Sequence, residues 1–195
     1  MANNSEDPIA LFSSWFAEAK KMELENPNAM MLATAQKGGQ PSARMVLMKE
    51  FNSKGFVFYT NLGSRKGLEL DENPLAALVF YWKSLARQVR IEGKVELVSD
   101  READEYHKTR PRLSQIGAWA SKQSEVIEGP FALEKQVAKY TTKFKIGSIP
   151  RPKIWSGFRL LPASIEFWQE AAFRLHDRRL FTRIDSGWSI EKLYP

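Results

Sequence analysis

Three groups of residues in this sequence combine types and spacings suited to holding an anion. The longest runs from Tyr106 to Ser124 and reads Tyr-His-Lys-Thr-Arg-Pro-Arg-Leu-Ser-Gln-Ile-Gly-Ala-Trp-Ala-Ser-Lys-Gln-Ser. It sets the cations Lys108, Arg110 and Arg112 and the hydroxyls of Tyr106, Ser114, Ser121 and Ser124 around the short apolar segment Ile116 to Ala120. A guanidinium presents five donors in a rigid plane that matches phosphate, and hydroxyls complete such a shell. The stretch reads as an anion site, with a basic helix-turn-helix face as the alternative.

The second group is Ser64-Arg65-Lys66. Ser64 suits the cap of a helix whose first free amides would face a phosphate. Cations at a helix N-terminus oppose its dipole, so structure alone explains them poorly. A solvated basic turn is the competing reading. The third group is Arg174-Leu175-His176-Asp177-Arg178. Alternation on an extended chain puts Arg174, His176 and Arg178 on one side, which is costly unless an anion lies opposite. A rim of solvated charge paired with Asp177 is the alternative there.

Other chemistries are thinly represented. With no cysteine there is no thiolate metal site and no cysteine nucleophile. The two histidines, His107 and His176, have no metal-ligand spacing, so no metal is expected. No Gly-x-Ser-x-Gly elbow, Walker loop or Gly-x-Gly-x-x-Gly fingerprint occurs. An enzyme with so few acid–base groups needs a cofactor for its chemistry, and the Arg, Lys and hydroxyl residues become its clamps.

The 195 residues carry a formal net charge of +6, which favours phosphorylated small molecules or polyanions. No run of five or six like charges and no basic tail occurs, which argues against nucleic acid. Absence of cysteine suits a reducing compartment. The polar, acidic start from Met1 to Asp7 lacks the basic region of a signal peptide, and no apolar span is long enough for a bilayer. A cytoplasmic protein without a membrane partner is expected.

These groups must be positioned by a mainly β chain with peripheral helices. Asp7-Pro8 opens a helix with Ile9, Phe12, Phe16 and Ala19 on one face, its aromatics there for packing, running to about Leu24. Short apolar runs then alternate with turn residues: Met30 to Ala35, Ala43 to Glu50, Phe56 to Thr60, Leu75 to Trp82 and Gln88 to Val98. Tight turns predict a meander. Gln88 faces either ligand or solvent on pattern alone. Helices are expected from Ser64 to about Glu72, from Ser99 onward in capping-box style, and from Phe131 to about Lys145. Ile154 to Leu161, Ser164 to Gln169, Arg178 to Ile184 and Trp188 to Leu193 are four more strands. Eight or nine strands with short turns suggest a closed or split antiparallel barrel in one domain, residues 1–195, with residues 1–28 as a helical extension.

Seven motifs in order over roughly residues 29–195 resemble the pyridoxamine (pyridoxine) 5'-phosphate oxidase family. They are Arg44 to Lys49, Phe58 to Asn61, Ser64-Arg65-Lys66, Arg87-Gln88-Val89, Arg110 to Ser124, Ile165 to Gln169, and Arg174 to Arg178. The resemblance implies an FMN-binding split antiparallel β-barrel that forms a homodimer with the site at the subunit interface. It also implies that Arg44, Lys49, Tyr59, Thr60, Arg65, Lys66, Gln88, Gln123, Ser124, Trp168 and Arg178 bind FMN. Lys49, Tyr106, Arg110, Ser114, Arg174 and His176 would bind pyridoxine 5'-phosphate or pyridoxamine 5'-phosphate, with Tyr106, Arg110 and Ser114 on its phosphate. Arg174 and His176 would fix the reacting end. The family passes a hydride to flavin N5, and O2 then reoxidises the flavin with release of H2O2.

The sequence departs from the family at two places. Glu170-Ala171-Ala172-Phe173 stands where a glycine and a polar connection are usual, and glycine permits backbone angles that Glu and Ala resist. Trp155-Ser156-Gly157 stands where Trp-Gly-Gly is more usual. Both bear on substrate preference and leave the flavin motifs intact. A flavin oxidase of another aromatic substrate, such as a phenazine precursor, and a non-catalytic flavin or pyridoxal-phosphate carrier are the alternatives.

Overall fold

The computed structural model describes residues 6–195. Residues 1–5, the start of the expected N-terminal extension, lie outside the described residues. Helix α1 (Pro8–Met22) begins where Asp7 Oδ1 accepts from Ile9 N at 2.9 Å, with proline in the first turn. It buries Phe12, Trp15, Phe16 and Ala19. The Phe12 ring lies 4.9, 4.9, 5.1 and 5.9 Å from Phe51, Phe56, Phe80 and Trp82. Each aromatic side chain fully removed from water contributes about 1.5–3 kcal/mol. The segment expected as an extension therefore completes the main core.

The sheet has nine strands: β1 (Ala29–Ala35), β2 (Pro41–Leu47), β3 (Glu50–Asn52), β4 (Gly55–Asn61), β5 (Leu75–Trp82), β6 (Arg87–Leu97), β7 (Trp155–Gln169), β8 (Asp177–Ile184) and β9 (Gly187–Lys192). The remaining helices are α2 (Arg65–Glu72), α3 (Asp100–Thr109), α4 (Arg112–Ala120) and α5 (Ala132–Lys143). Every strand pair is antiparallel, in the order β2-β1-β5-β6-β7-β4-β3, with β8 on β7 and β9 on β8. The sheet curls into a half-barrel, mainly β with peripheral helices, as expected.

The expected meander holds only within hairpins, because β1 pairs next with β5, and β4 with β7. Burial explains the order. Strand β2 alternates exposed and half-buried residues and takes the edge, whereas β4 is buried along nearly its whole length and has a neighbour on each side, β3 and β7. The single strand expected from Ala43 to Glu50 breaks at Met48-Lys49, where Met48 N bonds to Asn28 O and Lys49 N to Val57 O.

The two strands expected on either side of Pro162 are one strand. The first part of β7 pairs with β4 and the last part with β8, while its other edge follows β6 from Phe158 to Gln169. At the changeover the β6–β7 register shifts between Glu92 and Gly93. A bulge tolerates proline, which lacks the ladder donor. Gly93 permits the close approach, since a Cβ there would sit 2.0 Å from Leu161 O.

Candidate functional site

A cavity of about 980 Å³ opens between the β1–β2 hairpin, the end of β4, the start of α2 and the α3–α4 corner. Its wall contains Arg44, Lys49, Tyr59, Thr60, Arg65, Lys66, Tyr106, Arg110, Ser114, Gln123 and Ser124, eleven of the residues singled out from sequence. Each arrives for a local reason. Ser64 caps α2 by accepting from Gly67 N at 3.4 Å, so Arg65 and Lys66 fall in the first turn. Chain reversal at Arg110-Pro111, between α3 and α4, brings Tyr106, Arg110 and Ser114 to the opposite wall. Ser124 adopts a left-handed φ of 75° in the loop after α4.

Lys66 is 9 % exposed, which rules out the solvated basic turn. Its Nζ donates to Thr60 Oγ1 (3.2 Å), Ser64 Oγ (3.3 Å) and Gln123 Oε1 (3.2 Å). Among the described residues no carboxylate lies within salt-bridge distance of it. Burial, reinforced by the Arg44 charge and opposed by Glu69, lowers its pKa. A buried ammonium bonded only to neutral oxygens is relieved by an anion.

At the other wall an aromatic stack supports Arg110. The Tyr59 ring lies 4.1 Å from Tyr106 and 5.2 Å from Trp155, nearly parallel to both. The Arg110 guanidinium lies 4.6 Å above Trp155, and its buried Nη1 has no hydrogen-bond partner among the described residues. Burial first, then the Glu102 and Glu50 carboxylates, push the Tyr59 phenol up to about 12, so it remains a donor at neutral pH. Lys108 and Arg112, singled out with Arg110 in this stretch, do not join the site. Arg112 donates to the carbonyls of Gly147 and Phe144 and ties α4 to the end of α5, and Lys108 does not line the cavity.

Gln88, Trp168, Arg174, His176 and Arg178 do not line this cavity. Gln88, Trp168 and Arg178 form one row across β6, β7 and β8, and the His176 ring lies 4.7 Å from Trp168. Arg178 Nε donates to Glu166 Oε1 at 2.8 Å. The expected alternation from Arg174 to Arg178 fails, because the strand starts only at Asp177. Phe173 and Arg174 instead take left-handed φ values of 59° and 63° in a short 3₁₀ turn. Ala171 N donates to His176 Nδ1 at 3.3 Å. The left-handed backbone thus falls at Phe173 and Arg174, not at Glu170, which directly follows the end of β7.

Sequence reading passed over two buried groups behind the cavity. Glu69 on α2 contacts Arg44 and Arg65, and His107 on α3 packs edge-on to Trp155 at 5.3 Å. For Glu69 a signal existed in its i,i+4 spacing from Arg65.

Residues 16–144 match the family model described as pyridoxamine 5'-phosphate oxidase, and residues 155–195 match the pyridoxine 5'-phosphate oxidase C-terminal dimerisation region. The chain belongs to the pyridoxamine 5'-phosphate oxidase family. It is 56% identical over 203 residues, spanning 100% of each chain, to a protein of Brucella canis named pyridoxine/pyridoxamine 5'-phosphate oxidase, and equally to one of Brucella suis. Among solved structures it resembles PhzG from Burkholderia lata in complex with tetrahydrophenazine-1-carboxylic acid. That match has TM-score 0.92 and 30% identity, and covers 99% of this chain and 95% of the other. A pyridoxamine 5'-phosphate oxidase-related, FMN-binding protein of Nostoc punctiforme shares the fold, with TM-score 0.78 and 18% identity over 98% and 99% of the two chains. The family's dimerisation region covers β7 to β9, the part of the sheet that holds Trp168, His176 and Arg178.

Proposed function

We propose that this chain is an FMN-dependent oxidase that converts pyridoxine 5'-phosphate or pyridoxamine 5'-phosphate to pyridoxal 5'-phosphate in the cytoplasm. The observation that carries the reading is the cavity, where Lys66 is buried without a carboxylate beside it and Arg110 faces it across an aromatic wall, in a member of this family. The donor set fits FMN. Arg65 and Lys66 suit its phosphate, Arg44 adds positive charge beside them, and Thr60, Gln123 and Ser124 offer neutral polar contacts. Tyr106, Arg110 and Ser114 suit a second phosphate, that of the substrate. Such fixed donors hold the reactants in a productive geometry at little entropic cost when the reaction occurs.

Bound FMN would supply the acceptor for a hydride from the carbon bearing the amine or alcohol, with O2 as the final oxidant and H2O2 as its product. The protein's share is placement. Lys49, on the wall of the same cavity, would contact both ligands. Arg174 and His176 would orient the substrate's reacting end.

The division of the site residues supports a homodimer. One copy's cavity lacks Gln88, Trp168, Arg174, His176 and Arg178, and these lie together on the segment that matches the dimerisation region or beside it. A two-fold interface would bring this row from each subunit to the cavity of the other. The test is oxygen uptake and aldehyde formation by the FMN-loaded protein given each substrate in air. Turnover with equimolar H2O2 is expected. A yellow protein without turnover would sink the assigned substrate and leave an oxidase of another aromatic compound, and a protein that takes up no FMN would sink the whole reading.

A further inference from the structure

Behind the proposed FMN phosphate site, Glu69 is 2 % exposed and accepts from four side chains on three elements. Its Oε2 accepts from Thr34 Oγ1 on β1 (2.5 Å), Ser42 Oγ on β2 (2.6 Å) and Arg44 Nη2 on β2 (3.1 Å). Its Oε1 accepts from Arg65 Nε on α2 at 2.8 Å. Those bonds outweigh the burial that would raise its pKa and hold it down at about 2, so it stays ionised.

Helix stability does not explain this carboxylate. Arg65 precedes Glu69 by one turn, the less favourable order for an i,i+4 pair, because it sets the cation toward the positive end of α2. Nor is a buried ion pair a good way to strengthen a core. What the contacts do accomplish is geometric. By engaging only Arg65 Nε, Glu69 leaves both terminal nitrogens of that guanidinium without a partner among the described residues, on a side chain that is 56 % exposed at the cavity. Arg44 donates from Nη1 to Leu32 O and Thr34 Oγ1 and from Nη2 to Ser42 and Glu69, which locks its plane to the hairpin.

We propose that Glu69 is a positioning residue for phosphate recognition: it clamps the Arg44 and Arg65 guanidiniums between the β1–β2 hairpin and α2, so that Arg65 presents a preformed two-nitrogen fork to the cofactor's phosphate. This rests on the reading that the FMN phosphate lies at Arg65 and Lys66. The carboxylate's own charge works against an anion, but Arg44, Arg65 and Lys66 outnumber it and the site stays cationic. Orientation of a flexible guanidinium before binding is the gain, since the ordering cost is then met during folding.

The test compares FMN with riboflavin, which lacks the phosphate, by titration of flavin fluorescence on the apoprotein prepared from the holoenzyme. Glu69→Gln keeps the shape, loses the charge and sets amide hydrogens against donors. It is expected to weaken FMN about tenfold, the size of one well-formed charge-assisted hydrogen bond, and to leave riboflavin binding unchanged. Glu69→Asp retains the charge but is one methylene too short to span both guanidiniums, so it is expected to lose the same preference and decides the matter if the Gln variant does not fold. An unchanged ratio of FMN to riboflavin affinity in Glu69→Asp overturns the proposal. So does tighter FMN binding in Glu69→Gln, which would mean that charge and not orientation is what Glu69 contributes. Equal weakening of both flavins overturns it as well, since that is the mark of a purely structural role. Wild-type protein that binds no FMN would instead overturn the function on which the proposal rests.

Discussion

Replacing His107 with phenylalanine should flatten the response of stability to mild acid. His107 is 1 % exposed, and neither ring nitrogen has a hydrogen-bond partner among the described residues. Burial, reinforced by the charges of Arg110 and Arg151 and opposed by Asp104, lowers its pKa from 6.5 to about 4. The folded-state value lies below the unfolded one, so the unfolded chain binds more protons between them. Stability is therefore present well above the unfolded value of 6.5 and lost as pH falls through it toward 4. With these two values, linkage gives a loss of about 0.2 kcal/mol at pH 7 and about 2 kcal/mol at pH 5, levelling near about 3 kcal/mol below pH 4. Phenylalanine retains the edge contact with Trp155, removes the titration, and relieves two unpaired nitrogens, so the variant should be at least as stable at pH 7. Denaturant unfolding of the FMN-loaded protein, at fixed protein and FMN concentrations, measures this directly. Between pH 7 and pH 5 the wild type should lose about 2 kcal/mol more than His107→Phe, since carboxylate titrations are common to both. Equal losses would refute the reasoning.

Two further substitutions probe the two halves of the site. A Cβ at position 157 would lie 2.8 Å from two Tyr59 ring carbons and 3.1 Å from Val98 Cγ2, so Gly157→Ala should displace Tyr59 from the cavity wall. Weaker flavin binding and a loss of about 1–3 kcal/mol in thermal stability are expected, and wild-type values for both would show that the ring has room to move. Arg174→Ala should lower turnover while the purified protein keeps its FMN, as read from its absorbance, because Arg174 is assigned to the substrate. Loss of the flavin with turnover per bound flavin intact would reverse that assignment.

Local signals in the chain were dependable where the physics is local. Asp7, Ser64 and Ser99 each cap the helix expected to follow them, because a side-chain oxygen and an amide two or three residues away need no distant partner. The hairpins β1–β2 and β8–β9 follow from their turns for the same reason. Pairing between distant strands was not legible. Alternation tells which residues share a side of a strand, but it does not name the strand alongside, and β7 exchanges β4 for β8 halfway along one edge. The turn around Arg174 was misread as extended because the left-handed angles at Phe173 and Arg174 carry no glycine to announce them.

What the sequence determined by itself was the chemistry on offer: cations and hydroxyls suited to phosphate, no thiol, no histidine pair, and an order of motifs that named the family. Only the tertiary structure decided how those groups are divided. It gathers Arg44, Arg65, Lys66 and Arg110 around one cavity, sets Gln88, Trp168 and Arg178 in a separate cross-strand row, and turns Arg112 away to hold a helix. It also put Glu69 and His107 behind the walls. Their burial comes from the packing of α2 and α3 on the sheet: the i,i+4 spacing marks Arg65 as a neighbour of Glu69, but nothing in the linear chain marks Thr34, Ser42 and Arg44 around Glu69 or Trp155 against His107.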